Sequence, residues 1–232
     1  MKLLLTMFAF LGVMPINDQT LLTGAWQWKE GSEEKVWIFA DGYCAQSSYD
    51  KINKKFMGTW GGPYKIDNDK LTIQTEFNTF DSTQIGKAVE YTLSGKGAKI
   101  SLNSKGASQE WQRIDNGVGP LAGTWRISGR MQDGKMSEIK PGARKTLKIL
   151  SATRFQWVAI NPEVKGFYGT GGGTCMFFNG KYMEKIEFFS RDSSRVGATL
   201  SFEGKVANDL WTHTGLNSRG EPLHEEWTRV KH

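Results

Sequence analysis

Residues 56–62 read Phe-Met-Gly-Thr-Trp-Gly-Gly, and residues 167–173 read Phe-Tyr-Gly-Thr-Gly-Gly-Gly, 111 positions further along the chain. The same offset, applied without a gap to positions 56–86, gives identical residues at twelve of 31 positions. Self-similarity at a fixed separation is the signature of a repeated structural unit. The sequence therefore predicts one fold that is made twice.

The segments that flank this repeat also correspond. Each copy opens with Gly-x-Trp, at Trp26 in the first and Trp125 in the second, and closes with Glu-Trp-x-Arg, at Arg113 and Arg229. A short turn-rich linker joins the copies, so we expect them to pack together. The predicted boundaries are a signal peptide over 1–19, a first unit over 20–115, a linker over 116–120 and a second unit over 121–232.

Both copies consist of short runs rich in aromatic and β-branched residues, separated by Gly, Asn and Asp. Such runs predict β-strands joined by tight turns. Eight strands joined in sequence can close into a barrel without free edges, so we predict an all-β chain of two tandem eight-stranded up-and-down barrels. The runs lie near 24–30, 34–40, 43–49, 57–66, 70–78, 87–94, 98–103 and 107–114, and near 122–130, 144–150, 153–160, 165–177, 182–190, 196–204, 208–214 and 222–230.

The repeated Gly-x-Trp opening, with an Arg on the last strand, resembles the lipocalin and calycin superfamily. That resemblance implies that Trp26 packs against Arg113 and Trp125 against Arg229, as devices that close each barrel. A cation over an indole face contributes about 0.5–2 kcal/mol. Each copy lacks room for the flanking helix of lipocalins. Residues 169–173 and 188–197 also resemble bacterial secreted proteins of unknown function, a resemblance that implies no activity.

Alternation along the strand after the Gly-rich hairpin indicates which residues face each lumen. In the first copy the apolar set Leu71, Ile73 and Phe77 is expected inside, and the same parity in the second copy places Glu184 where the first has Ile73. On the seventh strand His213 takes the place of Leu102. The predicted ligand-binding residues of the second barrel are Phe155, Trp157, Tyr182, Glu184, Phe188, Trp211 and His213.

A buried polar group without a partner costs about 1–3 kcal/mol. Glu184 and His213 are therefore expected to bond to each other, to a water molecule or to a ligand. The recurring carboxylates Glu76 and Glu187 are expected on the outer face, in solvent. Asp81 and Asp192, each followed by Ser, are expected to form side-chain-to-backbone turns.

These patterns favour a non-enzymatic protein that binds a small apolar or aromatic ligand in the second barrel. A cavity of a few hundred Å³ in that barrel would support this hypothesis. One alternative is a protein-interaction or inhibitor module with both barrels filled, whose contacts lie in the loops at 50–56 and 131–143. A weaker alternative is a small hydrolase or isomerase that uses Glu184 and His213.

Other features narrow the class of protein. The net charge of +6 is scattered along the chain, which argues against nucleic-acid binding. Cys44 and Cys175 share no motif and are expected to be isolated buried thiols, and no pattern indicates a metal or other cofactor. The apolar run from Leu3 to Met14 is too short to span a bilayer and follows a single Lys. We expect a signal peptide, a secreted or periplasmic protein and no integral membrane segment.

Overall fold

A computed structural model of the chain describes residues 19–232, so the expected signal peptide lies almost wholly outside the described residues. One helical turn, α1 (Gln19–Leu22), precedes the first strand. The first half then contains β1 (Gly24–Glu30), β2 (Glu33–Ala40), β3 (Tyr43–Asp50), β4 (Lys55–Asp67), β5 (Lys70–Gln74), β6 (Phe77–Asn78), β7 (Ala88–Lys96), β8 (Lys99–Ser104) and β9 (Ala107–Asp115).

The strands of the first half form a closed antiparallel barrel. Neighbours in sequence pair in the order β1, β2, β3, β4, β5, β7, β8 and β9, and β9 returns to pair with β1. The two-residue β6 continues the line of β5 and pairs with β4. The result is an eight-stranded up-and-down barrel, as the sequence predicts.

The second half repeats this topology. Its strands are β10 (Gly123–Gln132), β11 (Lys135–Glu138), β12 (Lys145–Leu150), β13 (Arg154–Asn161), β14 (Gly166–Phe178), β15 (Lys181–Phe189), β16 (Thr199–Ala207), β17 (Leu210–Leu216) and β18 (Pro222–Arg229). β10 pairs with both β12 and β18, which closes the second barrel, and β11 forms an added hairpin on the end of β10. Two tandem barrels are therefore confirmed.

Several hairpins turn through residue pairs in which both φ angles are positive. Asp41 and Gly42 have φ of 51° and 76°, and Asn179 and Gly180 have φ of 49° and 75°. This backbone matches the right-handed twist of paired strands, and Asn, Asp and Gly are the residues that adopt it most readily. The turns therefore fix the register of the strands that they join.

Both closing devices are present. The guanidinium of Arg113 lies 4.0 Å from the ring centroid of Trp26, and that of Arg229 lies 5.7 Å from the ring of Trp125. Each indole also donates a hydrogen bond of 2.8 Å to a carbonyl four residues earlier. The two devices differ in the contacts of the Arg side chain. Arg229 also donates two hydrogen bonds, of 2.8 and 2.9 Å, to the carboxylate of Asp41 in the first barrel.

The barrels pack against each other through one apolar cluster, so the expectation of a packed pair is confirmed. Burying this surface removes apolar side chains of both halves from water, which is the main favourable term in such contacts. The buried members are Val36, Ile38, Ala40, Tyr43, Ala45, Tyr49, Phe77, Leu147, Ile149, Val158, Ile160 and Phe188.

The position predicted for Phe188, inside the second barrel, is wrong. β14 and β15 pair through Gly172 with Phe188 and Gly173 with Ile186, so Glu187 is the extra residue of a β-bulge. A bulge reverses the alternation of side chains beyond it. Phe188 therefore faces outward and stacks on Tyr49 of the first barrel at 4.8 Å between ring centroids. Phe77, which was also expected inside, lies in the same interface cluster.

The solvated positions expected for Glu187 and Glu76 are also wrong, because the other barrel covers this outer face. Glu187 is buried, accepts a hydrogen bond of 2.9 Å from the Tyr49 hydroxyl and lies 2.6 Å from the guanidinium of Arg154. Glu76 accepts a hydrogen bond of 2.7 Å from the hydroxyl of Tyr43. These carboxylates belong to the interface between the barrels.

The predicted turns at Asp81 and Asp192 are confirmed, since their side chains accept from the backbone N–H of Thr83 and Ser194. Cys44 and Cys175 form no disulfide, and burial raises the pKa of both thiols. No helix within the described residues is both long enough and apolar enough to cross a membrane.

Candidate functional site

The lumen of the second barrel holds a cavity of about 580 Å³ that opens to solvent at one end. This volume lies within the usual range for sites that bind small molecules, about 300–1,000 Å³. Its wall combines aromatic and aliphatic side chains with a few ionisable ones. Those that shape the site are Arg130, Lys148, Phe155, Trp157, Glu184, Ile186, Phe189, Arg191, Leu200, Phe202, His213, Glu225 and Trp227.

The lumen of the first barrel is filled by indole rings. Trp60 packs edge-on against Trp37 at 4.9 Å between centroids, and Trp37 packs against Trp111 at 6.2 Å. The indole N–H of Trp60 donates a hydrogen bond of 2.7 Å to the side-chain oxygen of Gln46. A larger depression of about 810 Å³ lies on the first barrel near Trp28, and most of the side chains that line it are polar.

Two of these three indoles have no counterpart in the second barrel, and the first of them is Trp60. β3 and β4 pair Gln46 with Trp60, whereas the matching strands β13 and β14 pair Trp157 with Gly171. Thus Gly171 stands where the first barrel has its central indole. A Cβ on Gly171 would lie 2.8 Å from the Trp157 indole nitrogen, so the absence of a side chain lets that ring lie across the strand.

A second exchange places a cation in the wall. β1 pairs Trp26 with Trp37, and β10 pairs Trp125 with Lys148, so Lys148 stands where the first barrel has Trp37. Its ammonium nitrogen lies 2.7 Å from a carboxylate oxygen of Glu184, and both side chains are only 6% exposed. Four ring centroids surround that nitrogen at 5.1–5.8 Å, those of Trp211, Trp227, Tyr182 and Phe155.

A second polar pair lies beside the first. The imidazole Nε2 of His213 is 3.2 Å from Glu225 Oε2, and the Trp227 indole N–H donates to the same oxygen at 3.2 Å. Arg130 binds the other oxygen of Glu225 at 2.6 Å. The first barrel pairs Leu102 with Gln109 at this place, so its counterpart carries no ionisable group.

The electrostatics of this pair follow from burial and neighbouring charge. Burial opposes ionisation of Glu225, but the His213 hydrogen bond and the Lys148 and Arg130 charges outweigh it and hold the carboxyl pKa at about 2. Burial lowers the pKa of His213, and the nearby Lys148 charge lowers it further. At neutral pH the site therefore contains a neutral imidazole beside a carboxylate.

The hypothesis that Glu184 and His213 bond to each other is wrong, because each has its own partner. Lys148 binds Glu184, and Glu225 binds His213. A buried imidazole nitrogen, His213 Nδ1, and the Trp211 indole N–H have no hydrogen-bond partner among the described residues.

The structure places the sequence-predicted site residues in three locations. Phe155, Trp157, Glu184 and His213 line the cavity. Tyr182 and Trp211 lie in the fully buried core of the second barrel and do not line the cavity, and their rings lie around the Lys148 ammonium. Phe188 lies at the interface between the barrels. Five charged residues of the site were not predicted, namely Arg130, Lys148, Arg191, Glu221 and Glu225.

Within residues 19–232, no group of three or more His, Cys, Asp or Glu side chains is arranged to hold a metal ion. The chain matches no model of a known protein family, and no curated protein is significantly similar to it.

Proposed function

We propose that the second barrel binds a small molecule with an apolar or aromatic body, and that the first barrel serves as its structural support. The observation that carries this proposal is the cavity of about 580 Å³ in the second barrel, whereas the matching lumen of the first barrel is filled by Trp37 and Trp60. The wall combines apolar and polar side chains in about equal number, and apolar surface with polar groups that can orient a ligand is what a binding site requires.

The proposed action is binding without chemical conversion. An effective general base has a pKa near the working pH, whereas the pKa of Glu225 is about 2. A carboxylate oxygen of Glu184 lies 2.7 Å from the Lys148 ammonium nitrogen. Both carboxylates are thus engaged by cations of the protein, a pattern that favours orientation of a ligand over proton transfer.

The wider setting is part of the same proposal. Two closed barrels, each with a Trp and Arg closing device, are consistent with kinship to the lipocalin and calycin superfamily. We propose that the segment 1–19 directs the chain out of the cytoplasm, so that the barrel sequesters or carries its ligand in the periplasm or outside the cell.

One observation favours the interaction module as a second candidate. The hairpin of β10 and β11 projects into solvent within the loop region 131–143, and every residue of β11 is exposed. Met131 and Met136 are paired across it and are 40% and 37% exposed. Flexible Met side chains are common at adaptable protein-binding surfaces.

The test gives the second barrel the residues that fill the lumen of the first. The double variant Trp157→Gln/Gly171→Trp recreates the Gln46 and Trp60 pair and should fill the cavity. The probe is N-phenyl-1-naphthylamine, a neutral apolar dye whose fluorescence rises when it leaves water. We expect the unmodified chain to bind it and the double variant to bind at least tenfold more weakly, a difference of about 1.4 kcal/mol or more.

The matched control is Trp28→Gln, which removes an indole from the first barrel and leaves the cavity untouched. It should bind the dye as the unmodified chain does. Circular dichroism of each variant reports whether the sheets remain intact. Failure of the unmodified chain to bind the dye, or equal binding by the double variant, would overturn the proposal.

A further inference from the structure

Arg191 lies at the mouth of the cavity, two residues beyond the end of β15. Its aliphatic stem crosses β14 at Gly169, where an added Cβ would lie 2.8 Å from Arg191 Cδ and 3.5 Å from the Trp157 ring. Gly169 has a φ of 142° and no side chain, so it leaves the space in which the stem lies. This packing positions the guanidinium at the cavity entrance, beside an aromatic wall.

The first barrel has a Phe at the same place. Phe80 precedes the turn at Asp81 as Arg191 precedes that at Asp192, and it packs over Gly58, where a Cβ would meet its ring at 2.4 Å. The two positions are separated by 111 residues, the offset of the duplication. At this shared position the filled barrel thus has an exposed aromatic ring, and the open barrel has a cation.

Two of the three cations that line the cavity are paired with carboxylates of the protein. Lys148 is paired with Glu184, and Arg130 with Glu225. At the mouth, the carboxylate of Glu221 is held within its own turn by a hydrogen bond of 2.8 Å from the Asn217 amide. Arg191 has no carboxylate within 4 Å and no hydrogen-bond partner in the part of the chain that the structure describes, although it lines the cavity.

The guanidinium is a rigid fork of N–H donors that matches the geometry of carboxylate, sulfonate and phosphate groups. Deeper in the lumen, an anion would meet Glu184 and Glu225, whose cationic partners are already engaged. Among the described residues that line the cavity, Arg191 is the cation without a carboxylate partner, so an anionic group of a ligand could engage it without displacing a protein carboxylate. The aromatic side chains of the wall suit an uncharged body.

We infer that the ligand is amphipathic: its aromatic or aliphatic body occupies the lumen against Trp157, Phe189 and Phe202, and its anionic group pairs with Arg191 at the mouth. This inference rests on the proposed function and specifies the ligand class of the same site. The orientation is fixed, with the charged end toward solvent.

Two dyes with the same ring skeleton test the charge. N-phenyl-1-naphthylamine is neutral, and 8-anilinonaphthalene-1-sulfonate carries one sulfonate. Arg191→Gln should weaken binding of the sulfonate dye about tenfold, or about 1.4 kcal/mol, and leave binding of the neutral dye unchanged. Raising the salt concentration should weaken only the sulfonate dye, and less so in the variant.

The matched control is Arg219→Gln, which removes a guanidinium that forms no ion pair among the described residues and lies close in sequence to the mouth but outside the cavity wall. Arg219→Gln should leave the affinity for both dyes unchanged. If Arg219→Gln and Arg191→Gln weakened binding of the sulfonate dye equally, the effect would come from general surface charge, and the inference would be overturned. The inference also fails if Arg191→Gln weakens both dyes equally or neither. The proposed function would still stand after any of these outcomes if the unmodified chain binds the dyes and Trp157→Gln/Gly171→Trp abolishes that binding. If the unmodified chain binds neither dye, the inference and the proposed function both fail.

Discussion

The two barrels share one backbone plan and differ in what fills it. In the first, Trp37 and Trp60 occupy the lumen. In the second, Lys148 and Gly171 stand at those two places, and Glu184 faces the ammonium. Strand register and turn chemistry therefore specify the fold, while lumen residues remain free to change as long as polar groups find partners.

The contents of the two lumens also have different consequences for stability. Removing a large apolar side chain and burying ions both cost free energy, yet buried ions with good partners can be tolerated. The open barrel shares an apolar cluster with the filled one, which supports it from outside its own lumen. The filled barrel thus contributes stability and the open barrel contributes the cavity, two roles that a single small barrel would have to combine.

The largest expected effect comes from emptying the filled barrel. Trp60→Gly removes the central indole and should lower the free energy of unfolding by about 5 kcal/mol, because a buried Trp is lost and Gly weakens a strand. Adding Gln46→Trp recreates the pair found in the second barrel and should recover part of that loss. Urea denaturation measures both variants, and a loss below about 1 kcal/mol for Trp60→Gly would show that the indole is not a filler.

A smaller effect is expected from making one polar position apolar. Glu184→Ile installs the residue of the first barrel but leaves Lys148 buried without a counter-ion, and should cost about 4 kcal/mol. The double variant Lys148→Met/Glu184→Ile removes both charges and should restore most of the stability. If the single and double variants were equally stable, the ion pair would not hold the wall of the open barrel together.

The third effect depends on pH. The pKa of Glu225 is about 2 in the folded barrel and 4.5 ordinarily, so its stabilising contribution is complete above pH 4.5 and is lost as the pH falls toward 2. The pKa of His213 is lowered, so protonation of the unfolded chain below pH 6.5 acts in the same direction. The carboxylate alone should account for about 3 kcal/mol.

The double variant His213→Leu/Glu225→Gln carries the residues of the first barrel and should flatten this acid-side loss. The measurement is the urea midpoint at a series of pH values from 7 down to 2, for both chains. Parallel curves for the two chains would show that the acid sensitivity comes from groups other than His213 and Glu225.

Most of the fold was predictable because its determinants are local. Turns such as Asp41 with Gly42, the repeat of Gly-x-Trp, and the alternation of the strands define two barrels without any tertiary information. The inward position of Glu184 and His213 also followed from alternation. Alternation could not show the bulge at Glu187. A bulge depends on how β15 pairs with β14, and the sequence of apolar and polar residues along either strand does not reveal that pairing.

Lys148 was missed for a different physical reason. Leu147 and Ile149 on either side of it are apolar, and alternation would place them in the lumen and the Lys in solvent. The outer face of β12 is instead buried against the first barrel, so the apolar residues face outward and Lys148 faces inward. The offset of 111 was a usable signal, since it aligns Lys148 with Trp37. Glu225 was harder to find, because the longer turn before β18 shifts its offset.

The contact between Arg229 and Asp41 has a consequence for how this molecule is built. The residue that completes the second barrel is held by a carboxylate of the first, and Asp115, at the end of the first, accepts hydrogen bonds from Ser151 and Thr153 of the second. Severing the chain at 116–120 and separating the halves would strip each of groups supplied by the other. We therefore expect each half to be less stable alone than in the intact chain, because contacts run between the two copies in both directions.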